Sequence, residues 1–219
     1  MKMKKIFLFI FFILAIASAA FATPAAEPIN FQISATVPAA TGAKIEAFAI
    51  ATGSSSMSSG LSSKTSVVNI DWSSAVDSLY FGNLLFDSDN KIWIAPKYFA
   101  INVSPVGGAG SVNVTIRYTE GSMPPSQKKG LGYKGMVNFI KVVNNKEQAI
   151  DGHGWKIFKE ISAGEQISKT LLTGGYLRLY VGLLSGQEKD LMSRGGEPFY
   201  STDKPGTYMG TLTISTTTN

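Results

Sequence analysis

The chain has 219 residues, with 20 Lys and Arg against 15 Asp and Glu, one His and no Cys. Its basic excess is concentrated at the start, in Lys2, Lys4 and Lys5, and the remaining charges are too thinly spread for a phosphate-binding surface, so no nucleic-acid partner is expected. The absence of thiols excludes disulfides, thiolate metal centres and a cysteine nucleophile.

Met1–Ala22 joins the three lysines to an apolar run from Ile6 to Ala17 and closes on Ser18-Ala19-Ala20-Phe21-Ala22. A basic start, a short apolar middle and an Ala-x-Ala end are the parts of a secretory signal peptide, and the leader is bacterial in style. Cleavage is expected after Ala22. With the leader gone, residues 23–219 carry 17 basic against 15 acidic groups, a net charge of +2, and are expected to form one domain with no membrane segment.

Ile29–Val37 is the first predicted strand. Ile29, Phe31, Ile33, Ala35 and Val37 alternate with Asn30, Gln32, Ser34 and Thr36, so an extended backbone separates apolar from polar side chains, and Pro38 ends the run. Lys44–Ala51 is apolar on both faces, as in a strand in the middle of a sandwich. Thr52–Ser66 is rich in Ser, Gly and Thr and reads as a surface loop. Val67–Trp72 and Leu79–Phe86 are further strands, Asp87–Asn90 a turn, and Lys91–Ala95 and Tyr98–Val103 strands split by Pro96. Val112–Tyr118 alternates cleanly, and with Gly107–Gly110 as the connection it predicts a hairpin over Tyr98–Tyr118.

Glu120–Gly135 is a long loop, followed by a strand at Met136–Val143, a turn at Asn144-Asn145, and extended segments at Gln148–Ile150 and Trp155–Ile161. From Ser162 to Gly175 a capping-box pattern favours a short helix while Ile167, Lys169 and Leu171 alternate as a strand would, and the two readings balance. Tyr176–Leu184 alternates strongly. Ser185–Asp203 is a polar, glycine-rich excursion, and Thr207–Ser215 is the closing strand, with Tyr208, Leu212 and Ile214 on one face. Many short strands separated by turn residues predict an all-β, immunoglobulin-like antiparallel sandwich with room for one short helix.

No catalytic constellation emerges, and no catalytic, cofactor-binding or metal-binding residue is assigned. His153 stands in a turn-like Asp-Gly-His-Gly-Trp without companion ligands or a triad. Asp87-x-Asp89-Asn90 begins like a calcium loop, but Lys91 falls where a ligand belongs. Gly130-Leu131-Gly132-Tyr133-Lys134-Gly135 fits the dinucleotide fingerprint in letters only, with no strand before it and no helix expected after it. Asn102-Val-Ser and Asn113-Val-Thr match a glycosylation acceptor pattern but lie on predicted strands. Trp72, Trp93 and Trp155 fit a core better than a sugar-stacking platform.

Phe31-Gln32-Ile33-Ser34-Ala35-Thr36-Val37-Pro38 after a leader, Leu79-Tyr80-Phe81-Gly82, and the closing Pro205-Gly206-Thr207-Tyr208-Met209-Gly210-Thr211-Leu212-Thr213-Ile214 resemble secreted pilin-type β-sandwich proteins of the spore coat protein U and chaperone–usher group. The resemblance implies an incomplete sandwich, completed by a strand from a neighbouring subunit in a surface fibre or coat, with a periplasmic chaperone as a candidate partner. The expected role is therefore an exported, non-enzymatic structural or adhesive subunit at the periplasm or cell surface. It would associate with itself or a related subunit through Ile29, Phe31, Ile33 and Val37 or through Tyr208, Leu212 and Ile214. The rival expectation is a monomeric extracellular binding module for carbohydrate or protein.

Overall fold

The computed structural model describes residues 30–36, 43–51, 75–105, 113–168, 172 and 174–217. The expected signal peptide, the predicted strand Val67–Trp72 and the Gly107–Gly110 connection lie outside the described residues. The first strands are β1 (Asn30–Thr36), β2 (Ala43–Ala51), β3 (Leu79–Asn83), β4 (Leu85–Asp87), β5 (Ile92–Ile94), β6 (Lys97–Pro105) and β7 (Asn113–Glu120). A single helical turn, α1 (Leu131–Lys134), leads into β8 (Gly135–Val143), β9 (Lys146–Ala149) and β10 (Lys156–Ile157). A 3-10 turn over Phe158–Ile161 precedes β11 (Glu165–Ile167) and β12 (Tyr176–Leu183), and α2 (Lys189–Ser193), β13 (Phe199–Tyr200) and β14 (Thr207–Thr217) complete the order.

These strands form an all-β sandwich. One sheet runs β11-β7-β14-β1-β3, the other β10-β8-β12-β6-β2 with β9 also on β8, and a small third sheet runs β13-β5-β4. Alternation supplies the core between the two large sheets. Val114, Ile116, Tyr208, Leu212 and Ile214 meet Phe99, Ile101, Phe139, Leu179 and Val181 from the other layer, all buried. Phe81 on β3 meets Phe99 on β6 edge to face at 5.0 Å, an arrangement that suits the ring quadrupoles and joins the layers.

The second sheet is apolar on its outer face too. Phe48, Ile50, Tyr98, Ala100, Met136, Tyr180, Leu184 and Leu191 form a separate buried cluster there. This explains why Lys44–Ala51 reads as apolar on both sides, although β2 ends the sheet order and does not occupy its middle. The polar side of β12 is covered as well. Arg178 is only 6% exposed; its Nη1 donates to Glu147 Oε1 at 2.6 Å and its Nε to Asn102 Oδ1 at 2.9 Å.

One pairing expectation is corrected. Tyr98–Tyr118 is not a hairpin: β6 pairs with β2 and β12, β7 with β11 and β14, and the connection crosses between the layers. Turn residues mark a reversal of the chain, but they do not specify whether the returning strand re-enters the same sheet. The balanced helix-or-strand segment holds a strand at Glu165–Ile167, where Gln166 pairs with Thr115, and Leu172 beyond it is helical; short helices also lie at α1 and α2. The Asn144-Asn145 turn is as expected; φ is 49° and 59°, and Val143 faces Lys146 across a two-residue hairpin loop.

Gly135 opens β8 beneath an aromatic ring. A Cβ built there would stand 2.1 Å from Cε2 of Phe158, while its φ of −90° carries no backbone strain. Gly135→Ala is therefore expected to lower stability by roughly 1–3 kcal/mol through overpacking. Gly154→Ala, where a Cβ meets nothing within 4 Å, should change stability by less than about 0.5 kcal/mol. Urea midpoints of the two variants measure the contrast, and Phe158→Leu in the Gly135→Ala background should recover part of the loss.

Candidate assembly strands and the ion cluster at their foot

β14 carries the closing alternation. Tyr208, Leu212 and Ile214 are fully buried, whereas Thr207 and Met209 face solvent. On one flank β14 pairs antiparallel with β7, from Gly210 opposite Glu120 to Thr217 opposite Asn113. On the other flank lies β1, and the pairing is parallel: Phe31 is level with Tyr208, Ile33 with Gly210 and Ala35 with Leu212. β1 also pairs antiparallel with β3, with an irregularity between Phe31 and Ile33. The first and last of the described strands are thus neighbours in one sheet, with β1 between β14 and β3. Of the residues expected to assemble, Phe31, Ile33, Tyr208, Leu212 and Ile214 are brought to this ladder, and Ile29 and Val37 lie outside the described residues.

Glycine opens space in β14 for a phenol from the neighbouring strand. A Cβ on Gly210 would come within 2.3 Å of the Tyr118 hydroxyl, so the ring from β7, and not Tyr208, lies against this backbone. The Tyr118 hydroxyl donates to Glu120 Oε1 at 2.9 Å, and the two carboxylate oxygens of Glu120 accept the backbone N–H groups of Leu131 and Gly132 at 2.9 and 2.7 Å. Gly130 and Gly132 have no room for a Cβ because this carboxylate fills it. The dinucleotide-like glycines therefore hold a glutamate of the chain's own, at the start of a single helical turn.

Below the start of β14 lies a cluster that sequence spacing missed. Lys134 ends α1 and is fully buried. Its Nζ donates to Asp203 Oδ2 at 2.8 Å, Glu197 Oε1 at 2.9 Å and the Pro198 carbonyl at 3.2 Å, and lies 4.7 Å from the Phe199 ring centre. Lys129 Nζ donates to the other Glu197 oxygen at 2.7 Å. Asp203 also accepts from Gln127 Nε2 at 2.6 Å and from the Tyr200 N–H at 2.7 Å. The Tyr208 ring packs edge to face on Phe199 at 4.9 Å and its hydroxyl donates to the Lys204 carbonyl, so the cluster is tied directly to β14. Burial, with the Asp203 charge added, pushes the Tyr208 phenol up. The partners of Lys134 are 63 and 69 positions away, beyond the reach of any local motif; the one hint in the chain is a lysine set among Leu131, Tyr133 and Met136.

The other candidates are dispersed. His153 Nδ1 lies 2.5 Å from Glu165 Oε1, which also accepts from Lys156 Nζ at 2.7 Å. Asp87 accepts from the backbone N–H groups of Asp89 and Asn90 at 3.0 and 3.2 Å, the geometry of a turn. Trp93 belongs to the core between the layers and Trp155 packs against the outer cluster, while Trp72 lies outside the described residues. Among the described residues no group of three His, Cys, Asp or Glu is placed to hold a metal ion, and no helix is long and apolar enough to cross a membrane.

The architecture is that of an all-β sandwich whose terminal strands share a sheet. Neither a protein-family model nor a curated protein matches the chain.

Burial pushes the Glu197 carboxyl up, but the hydrogen bonds from Lys129 and Lys134 outweigh it and hold the group below its ordinary value of 4.5. A carboxylate favoured by the fold contributes stability that is fully present above that ordinary value and is lost as pH falls through the lowered one. The urea midpoint is expected to drop on acidification below pH 4.5, and Glu197→Gln should flatten that dependence.

Proposed function

We propose that the protein is an exported structural subunit that assembles by exchanging its first strand between copies. The observation that supports this reading is the seat of β1. It comes first among the described strands yet lies inside a sheet, between β14 and β3, and the edge strand β3 is joined to that sheet through β1 alone. Moving β1 to another molecule breaks only its own two ladders and leaves a slot edged by unpaired N–H and C=O groups on β14 and β3. Such edges are what an added strand satisfies, with alternate side chains filling the core beneath. The parallel run of β1 along β14 is the one parallel pairing among the described residues, and parallel ladders are slightly weaker per residue. A donated strand running the other way would be antiparallel to β14 and parallel to β3, so the longer of the two ladders would become the antiparallel one.

The expected behaviour of the chain lacking residues 1–22 is concentration-dependent self-association, read by light scattering. Removing Thr23–Pro38 as well should abolish association and lower the urea midpoint, and a synthetic peptide spanning Ile29–Val37 should restore the midpoint when added in trans. A leaderless chain that stays monomeric at high concentration, together with a truncation that changes neither solubility nor association, would overturn the reading.

A further inference from the structure

Lys134 combines three features of a reacting amine. It is fully excluded from water, its Nζ is 2.8 Å from one carboxyl oxygen of Asp203, and a second carboxylate, Glu197, touches the same nitrogen at 2.9 Å. Direct contact between the amine nitrogen and the carboxyl group sets the two reacting groups side by side, the first requirement of a near-attack arrangement. We propose that the chain joins Lys134 to Asp203 through an intramolecular amide bond, with Glu197 as the proton carrier.

Glu197 takes one proton from the Lys134 ammonium and passes it to Oδ2 of Asp203. The freed amine attacks Cγ, and the charge that develops on Oδ1 faces the Gln127 Nε2–H already 2.6 Å away, a donor placed where the transition state needs it. A second proton then moves from nitrogen through Glu197 to Oδ2, the Cγ–Oδ2 bond breaks, and water leaves. Ammonium plus carboxylate becomes amide plus one water, with no change of oxidation state, and Glu197 returns to its starting form.

The charges of the cluster favour this outcome. Lys129 and Lys134 face Glu197 and Asp203, so condensation removes one charge of each sign. It removes the pair with the most buried cation, for which desolvation is costly, and leaves Glu197 with Lys129 at 2.7 Å. The bond would link positions 69 apart, the start of β8 in one layer and the approach to β14 in the other. A chain without cysteine would thereby gain a covalent staple between its sheets. This inference does not rest on strand exchange.

Intact mass spectrometry of the purified chain tests it. The mass should fall one water below the sequence sum, and trypsin should leave Lys134 uncut, giving a branched product of residues 130–141 with residues 195–219. Asp203→Ala and Glu197→Gln should each restore the full mass, with the Glu197→Gln circular dichroism unchanged. An unmodified wild-type mass with cleavage after Lys134, or a water loss that maps elsewhere, overturns the proposal whether or not the protein self-associates.

Discussion

The constraint behind the whole arrangement is that the β8-β12-β6 sheet is apolar on both faces. On its inner face Phe99, Phe139, Leu179 and Val181 meet the opposing sheet, as in any sandwich. On its outer face Tyr98, Ala100, Met136 and Tyr180 also need cover, and among the described residues no third large sheet supplies it. The cover comes from the segment after β12. Leu184 and Leu191 pack onto that outer face, and α2 lies where Leu191 can do so. Exposing this cluster would forfeit roughly 1.5–3 kcal/mol for each large side chain, so the excursion is held to the sheet. Once it is held there, Glu197 and Asp203 are delivered to Lys134 as a consequence of covering a hydrophobic face.

That sequence of causes separates what could be read from the chain from what could not. Strand positions were legible because period-two alternation is a local property, as at Val114-Ile116-Tyr118 and Leu177-Leu179-Val181. The turn at Asn144-Asn145 was legible because both residues tolerate positive φ. Sheet membership was not, since the residues that turn the chain between β6 and β7 are the same whether it folds back or crosses over. The ion cluster was hidden for a second reason: its members contribute no pattern of their own. Lys134 sits in a glycine-rich stretch that mimics a nucleotide loop, and Glu197 and Asp203 look like ordinary charges in a polar excursion.

The glycine fingerprint makes the same point from the other direction. A sequence of the form Gly-x-Gly-x-x-Gly requires backbone to approach something closely, and it does so here. Glu120 fills the space over Gly130 and Gly132, and Phe158 the space over Gly135. The physical requirement encoded by the glycines was real, and only the identity of the approaching group was open. Tyr118 stacks on Phe158 at 4.8 Å, so one interleaved set of aromatic rings and a carboxylate fixes the start of β8 against β7 and β14.

The direction of β1 connects these pieces. A parallel ladder puts the beginnings of both strands at the same end of the sheet, with Asn30 level with Thr207. Asp203 lies just before Thr207, so β1 enters the sheet at the end of the molecule that Lys134, Glu197 and Asp203 brace. An antiparallel ladder would have put its entry at the far end, beside Thr217. The slot that β1 fills is therefore rigid where the strand begins, held by buried ion pairs and by Tyr208 packed on Phe199. Along the slot, β14 is held by the β7 ladder behind it and by Leu212 and Ile214 buried in the core. Under the proposed strand exchange, the anchored foot of β14 would hold one end of the groove in place while β1 is replaced.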